Sequence, residues 1–180
     1  MIEQLWPHLK YMFGVIGLVA GVELYLSARW WPGYFMGGIL LYRRNLTVEG
    51  DHSALPTPGQ IESSLPDSGG RAPMLVRRIG EDHYAFREAM RHVDICYPPV
   101  MHGSIFFDRA KGEIRVRGYA NSYVTLFSCF FLLAPLTVPL EPVDYIFPAF
   151  VFGLFVWVYS IQARRFRQVE AAVQKEWPRK

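Results

Sequence analysis

Two uncharged apolar runs, residues 122–140 and 145–163, stand side by side with only the acidic, proline-flanked Glu141-Pro142-Val143-Asp144 between them. At about 1.5 Å per residue, each is long enough to cross a hydrocarbon core of roughly 30 Å. Backbone polar groups in lipid must be satisfied within the segment itself, so two such runs on so short a link predict a helical hairpin. A third apolar stretch, residues 11–28, holds one charge, Glu23, and runs into Arg29-Trp30-Trp31-Pro32-Gly33. Paired tryptophans beside an arginine suit the headgroup layer, and Pro-Gly turns the chain. Lys10 is the only basic residue close ahead of this stretch, which therefore reads as an uncleaved span and not as a signal peptide.

The expected fold class is thus an α-helical integral membrane protein with three transmembrane helices and a small α+β cytoplasmic domain inserted between the first and second. Residues 1–32 are the first span and its interfacial turn, 33–121 the inserted domain, 122–163 the transmembrane hairpin and 164–180 a charged cytoplasmic tail. Within the inserted domain, residues 49–73 turn abruptly to Pro, Ser, Gly, Asp and Gln, which predicts a disordered loop. Strands are expected near 39–48 and 74–79, and a helix of alternating charge over 81–93, stopped by Tyr97-Pro98-Pro99. The stretches 103–107 and 113–117 flank Asp108-Arg109-Ala110-Lys111-Gly112, turn chemistry that predicts a β-hairpin. In its second strand Ile114 and Val116 face one side, and Glu113, Arg115 and Arg117 the other.

Basic residues set an orientation. Lys111, Arg115 and Arg117 precede the hairpin and Arg164, Arg165 and Arg167 follow it, while its link carries none. The positive-inside rule then puts the central domain and carboxyl terminus in the cytoplasm of a bacterial-type inner membrane, with the amino terminus outside. Arg43, Arg44, Arg115, Arg117, Arg164 and Arg165 are expected at the lipid headgroups, each gaining about 1 kcal/mol from anionic lipid. A net charge of +3, with acidic groups interleaved among the basic ones, disfavours nucleic acid as a partner. Cys96 and Cys129 fall in different regions and read as free thiols.

Gly14, Gly17 and Gly21 form one stripe of the first span, a small-xxx-small pattern that lets helices approach closely in lipid. At 100° per residue Glu23 lies about opposite Gly14. If the stripe packs on the hairpin, Glu23 points to interfacial water, to a partner subunit's polar group, or to an ion pathway. His92, Cys96 and His102 are residue types that ligate zinc or pair as thiolate and imidazole. Neither a CxxC repeat nor an HExxH motif accompanies them, so no metal and no cofactor is expected. The leading expectation is a non-enzymatic accessory subunit of an inner-membrane assembly, with membrane lipids and other membrane-protein subunits as partners. The alternatives are a membrane enzyme acting on a lipid or lipid-linked substrate through His83, His92, Cys96 and His102, and a channel or transporter subunit that uses Glu23.

Overall fold

The computed structural model describes residues 2–47, 54–66, 72–89, 101–137 and 146–177. In chain order the elements are helices α1 (Ile2–Ala28) and α2 (Pro32–Met36), strand β1 (Ile39–Thr47), helix α3 (Pro58–Ser63), strands β2 (Met74–Arg78), β3 (His83–Glu88), β4 (Met101–Asp108) and β5 (Glu113–Ala120), then helices α4 (Ser122–Thr137) and α5 (Ile146–Glu176). The strands form one antiparallel sheet in the order β1-β5-β4-β3-β2, with β1 and β2 at its edges.

Period-two alternation gives this sheet two unlike faces. Ile114 and Val116 of β5 are fully buried, and Arg115 and Arg117, alternating with them, point the other way, as the sequence predicts. The turn before β5 passes through Gly112 at φ 61°, a left-handed position that favours glycine. The second half of α5 lies across the first face. Gln162, Arg165, Phe166, Val169, Ala172, Val173 and Trp177 recur at helical spacing and are all buried. The Phe166 ring meets Phe86 edge-on at 4.8 Å and Tyr42 at 5.9 Å, while Trp177 meets Phe107 at 5.2 Å. Two strand glycines make this fit possible: a Cβ on Gly103 would overlap the Phe86 ring, and one on Gly118 would overlap Phe166. Burying each large apolar side chain here stabilises the fold by about 1.5–3 kcal/mol.

Polar links complete this layer. Arg165 pairs with Glu88, both side chains only 7 % exposed, and also donates to the Ala72 carbonyl. The helix is thereby tied to β3 and to the chain entering β2. Tyr42 donates its hydroxyl to Glu170; burial first, and then that carboxylate, push the phenol up to about 12. It therefore stays a donor throughout the physiological range.

Several sequence expectations are corrected. The protein is an α+β fold built on a five-stranded antiparallel sheet, not a three-span helical membrane protein. Among the described residues one helix is long and apolar enough to cross a membrane, Lys10–Ala28 within α1, and only 11 % of it is buried. Helix α4 is described over 16 residues. The apolar run that opens α5 continues unbroken into the half that covers the sheet, in one helix of 31 residues. The expected charged tail is therefore mostly core, because residues 165–177 hide an apolar stripe between their charges. The link between the two runs lies outside the described residues.

The helix expected over 81–93 is instead strand β3 through Glu88, and residues 90–93 lie outside the described residues. Its charges suggested a solvated helix, yet Tyr84, Phe86 and Glu88 are two apart and all face α5, the spacing of a strand. Inside the stretch expected to be disordered, residues 54–66 are ordered around α3, whose Thr57 and Gln60 form a capping box. Ile61 of α3 is fully buried, and Glu62 accepts the Val76 amide at 2.6 Å. Residues 48–53 and 67–71 lie outside the described residues.

Candidate functional site on the open face of the sheet

Where the helices join the sheet, buried polar groups satisfy one another. Helix α1 ends with the Trp31 amide bonded to the Leu26 carbonyl and the Trp30 amide to that of Ser27, a paired closure that holds Trp30 at φ 55°. A bulky residue is strained there. Trp30 is held by stacking on Phe35 at 5.3 Å and by the Arg87 guanidinium 4.6 Å above its ring. Burial lowers the Arg87 pKa, an effect opposed by nearby Tyr34.

Glu23 is 8 % exposed, and its carboxylate accepts the Ser122 amide at 2.7 Å and the Tyr123 amide at 3.2 Å. It thus closes the amino terminus of α4, where free amides and the helix dipole both favour a negative charge. The expected polar partner of Glu23 exists, but it belongs to this chain. Along the glycine stripe, a Cβ on Gly14, Gly17 or Gly21 would meet nothing within 4 Å among the described residues.

His102 is 2 % exposed and stacks on Tyr34 at 4.0 Å. Its Nε2 lies 2.9 Å from the Tyr34 carbonyl oxygen and 3.1 Å from that of Gly37, and Nδ1 lies 2.8 Å from Asn121 Oδ1. Carbonyl oxygens only accept, so Nε2 carries a proton. Both ring nitrogens are committed to holding α2 and the start of α4 against β4. His92 and Cys96 lie outside the described residues, so the expected trio is not brought together here. Among the described residues no three His, Cys, Asp or Glu side chains gather to hold a metal. Cys129 is a free, exposed thiol on α4.

The second face of the sheet carries different chemistry. Helix α2 covers one end, with Tyr34 and Phe35 packed on Ala85. Beyond it lies a cavity of about 260 Å³ lined by Met36, His83, Ser104, Phe106, Arg115, Arg117 and Tyr119. Among the described residues no carboxylate lines it. Arg115 lies over Phe106 at 5.5 Å and pairs with Asp108 at 3.1 Å and Glu113 at 3.2 Å at the outer end of the hairpin. Arg117 has no carboxylate partner among the described residues. Its directly opposed neighbour across the β1–β5 ladder is Arg43, on the same face and also without one. Like charges placed so are unfavourable by a few tenths of a kcal/mol or more. His83 packs on Phe106 at 4.5 Å; burial lowers its pKa, Asp82 opposes that and Arg117 adds to it. The arrangement offers hydrogen-bond donors and positive charge, the chemistry that receives an anion.

The six arginines expected at headgroups are therefore divided. Arg43, Arg115 and Arg117 share the open face, while Arg44, one residue along β1, points to the covered side beside Tyr42 and Glu170. Arg164 is exposed on α5, whereas Arg165 is consumed by its buried pair with Glu88. The sequence pointed to the arginines of the site, and to His83 only as a candidate group of a membrane enzyme, but not to Ser104 and Tyr119, which reach it through strand register, or to Met36, which reaches it from α2. The only available signal was the alternation of β5, which put Arg115 and Arg117 on one side. Compared with protein families, characterised proteins and solved structures, the chain matches none.

Proposed function

We propose that this chain is a non-enzymatic accessory subunit anchored in a membrane, presenting its α+β sheet domain at the membrane surface to a larger assembly. The observation that carries this reading is segregation. Every exposed large apolar side chain among the described residues belongs to α1, the α1–β1 connection, the first residues of β1, α4 or the first half of α5. The remainder of the sheet and the second half of α5 expose none. An apolar surface of this extent gathered at one end of a molecule marks contact with lipid or protein.

In this reading α1 crosses the bilayer, Trp31 sits in the headgroup layer, and the sheet domain and carboxyl terminus face the cytoplasm, with the amino terminus outside. The open stripe of Gly14, Gly17 and Gly21 is the surface for a partner's helix. A structural role for His102 is supported by the engagement of both its ring nitrogens. Commitment of Glu23 to the α4 amides supports an anchoring role over an ion pathway.

The test is extraction of native membranes at high pH, followed by cross-linking and native mass spectrometry. The expected result is a chain that stays with the membrane and carries a stoichiometric partner, lost when Gly17 is replaced by Leu. A chain that washes off, or one whose assembly state ignores Gly17→Leu, would contradict the proposal.

A further inference from the structure

The geometry points to the cavity on the open sheet face as a binding site for a phosphate ester, its phosphate gripped by Arg117 with Ser104 while Arg43, on the next strand, adds positive charge from outside the lining, and its organic part lying against Phe106, Tyr119 and Met36. The like-charge pair is the first argument. Arg43 and Arg117 oppose each other across the β1–β5 ladder, with no carboxylate between them among the described residues. Each pushes on the other until a negative group arrives. Arg117 in the lining with the Ser104 hydroxyl on the neighbouring strand, and a second guanidinium one strand further on the same face, suit a tetrahedral dianion that accepts from several directions. A planar carboxylate is saturated by one fork.

Ser104 supplies the second argument. It is 5 % exposed, lines the cavity, and makes no side-chain hydrogen bond to another described residue. A hydroxyl so placed meets its hydrogen-bonding need with whatever fills the space. Size supplies the third. At about 260 Å³ the cavity holds far more than a bare phosphate; it equals the share of roughly eight or nine waters at about 30 Å³ each. Phe106, Tyr119 and Met36 give its wall ring and thioether surface, fitted to carbon. The ligand is therefore an ester and not the free ion. Arg115 stands at the outer rim, already paired with Asp108 and Glu113, and sets the orientation of the anion more than its affinity.

A lipid headgroup and a soluble phosphate ester share this chemistry, and the experiment separates them. The full chain in a neutral detergent is titrated with glycerol 3-phosphate and with inorganic phosphate, and in parallel is placed in phosphatidylcholine nanodiscs with or without phosphatidic acid. Saturable binding is expected, tighter for the ester than for the bare ion. Arg117→Gln should weaken it about tenfold or more, as loss of a charged hydrogen-bonding group does. Arg43→Gln, at an exposed position that leaves folding intact, should weaken it by a smaller factor. Arg164→Gln, the same charge change on α5, should leave it within twofold. Arg117-dependent binding of glycerol 3-phosphate identifies a soluble ligand, and Arg117-dependent retention of phosphatidic acid alone identifies a headgroup. Absence of binding in both arms, or binding equal in the parent, Arg117→Gln and Arg43→Gln, would overturn the inference. The detergent arm does not depend on α1 crossing a membrane, so its outcome is separate from that of the anchoring proposal.

Discussion

Arg117 and Gly118 are adjacent in β5, yet they belong to different worlds. Gly118 faces α5, where even one added methyl would strike Phe166. Arg117 faces a cavity, with a second arginine opposite it across the ladder and, among the described residues, no acid in the lining. On the covered side, rings interlock over glycines and a deeply buried ion pair, Arg165 with Glu88, is held on both sides by further hydrogen bonds. On the open side, charge is left unbalanced and a hydroxyl unengaged. The contrast teaches that one face of this sheet secures the fold while the other is kept in a state that only a ligand relieves.

The largest test of that division is Phe166→Ala, which should remove about 3–5 kcal/mol of stability through the cavity it leaves beneath Phe86 and Tyr42. Thermal melting in detergent reads this as a large fall in Tm. Gly118→Ala comes next. Its methyl forces Phe166 out of place, and overpacking of this kind costs about 1–3 kcal/mol by the same measurement. If either variant melted like the parent, the covered face would not be the core. One residue away, Arg117→Gln should change stability far less and in the other direction, gaining a few tenths of a kcal/mol as the repulsion from Arg43 is removed.

The smallest effect is one of pH. The folded state favours neutral His83, whose pKa burial holds below the usual value, whereas the unfolded chain takes up that proton near pH 6.5. Between the two values the unfolded state binds more protons, so stability falls as pH drops through about 6.5 and levels off below the folded pKa. Melting temperatures from pH 8 to pH 5 should show this slope in the parent and a shallower one in His83→Gln. Equal slopes would remove His83 from the account.

The strands that carry the site were legible where local pattern matched fold. The alternation of Ile114 and Val116 with Arg115 and Arg117 gave both the hairpin and its faces, and Ile39–Thr47 and Met74–Arg78 fell where apolar and β-branched residues suggested. Strand β3 was misread because Arg87 and Glu88 looked like a solvated helix, and only the tertiary partners, Trp30 above Arg87 and Arg165 beside Glu88, give those charges a place indoors. The role of α5 was hidden for a related reason. Its first half is apolar on every side, which drew attention to lipid, while its second half carries the stripe that builds the core between arginines. Pairing of Arg43 with Arg117, and of Glu23 with the α4 amides, spans long separations in the chain, and no local signal encodes such contacts.

The most direct test of the two-faced sheet is one variant measured twice. Arg117→Gln should melt within about 2 °C of the parent, since a few tenths of a kcal/mol moves a domain of this size no further, while losing its hold on glycerol 3-phosphate or phosphatidic acid. A variant that melts far below the parent, or that binds as the parent does, would mean that the open face is structural surface and not a site.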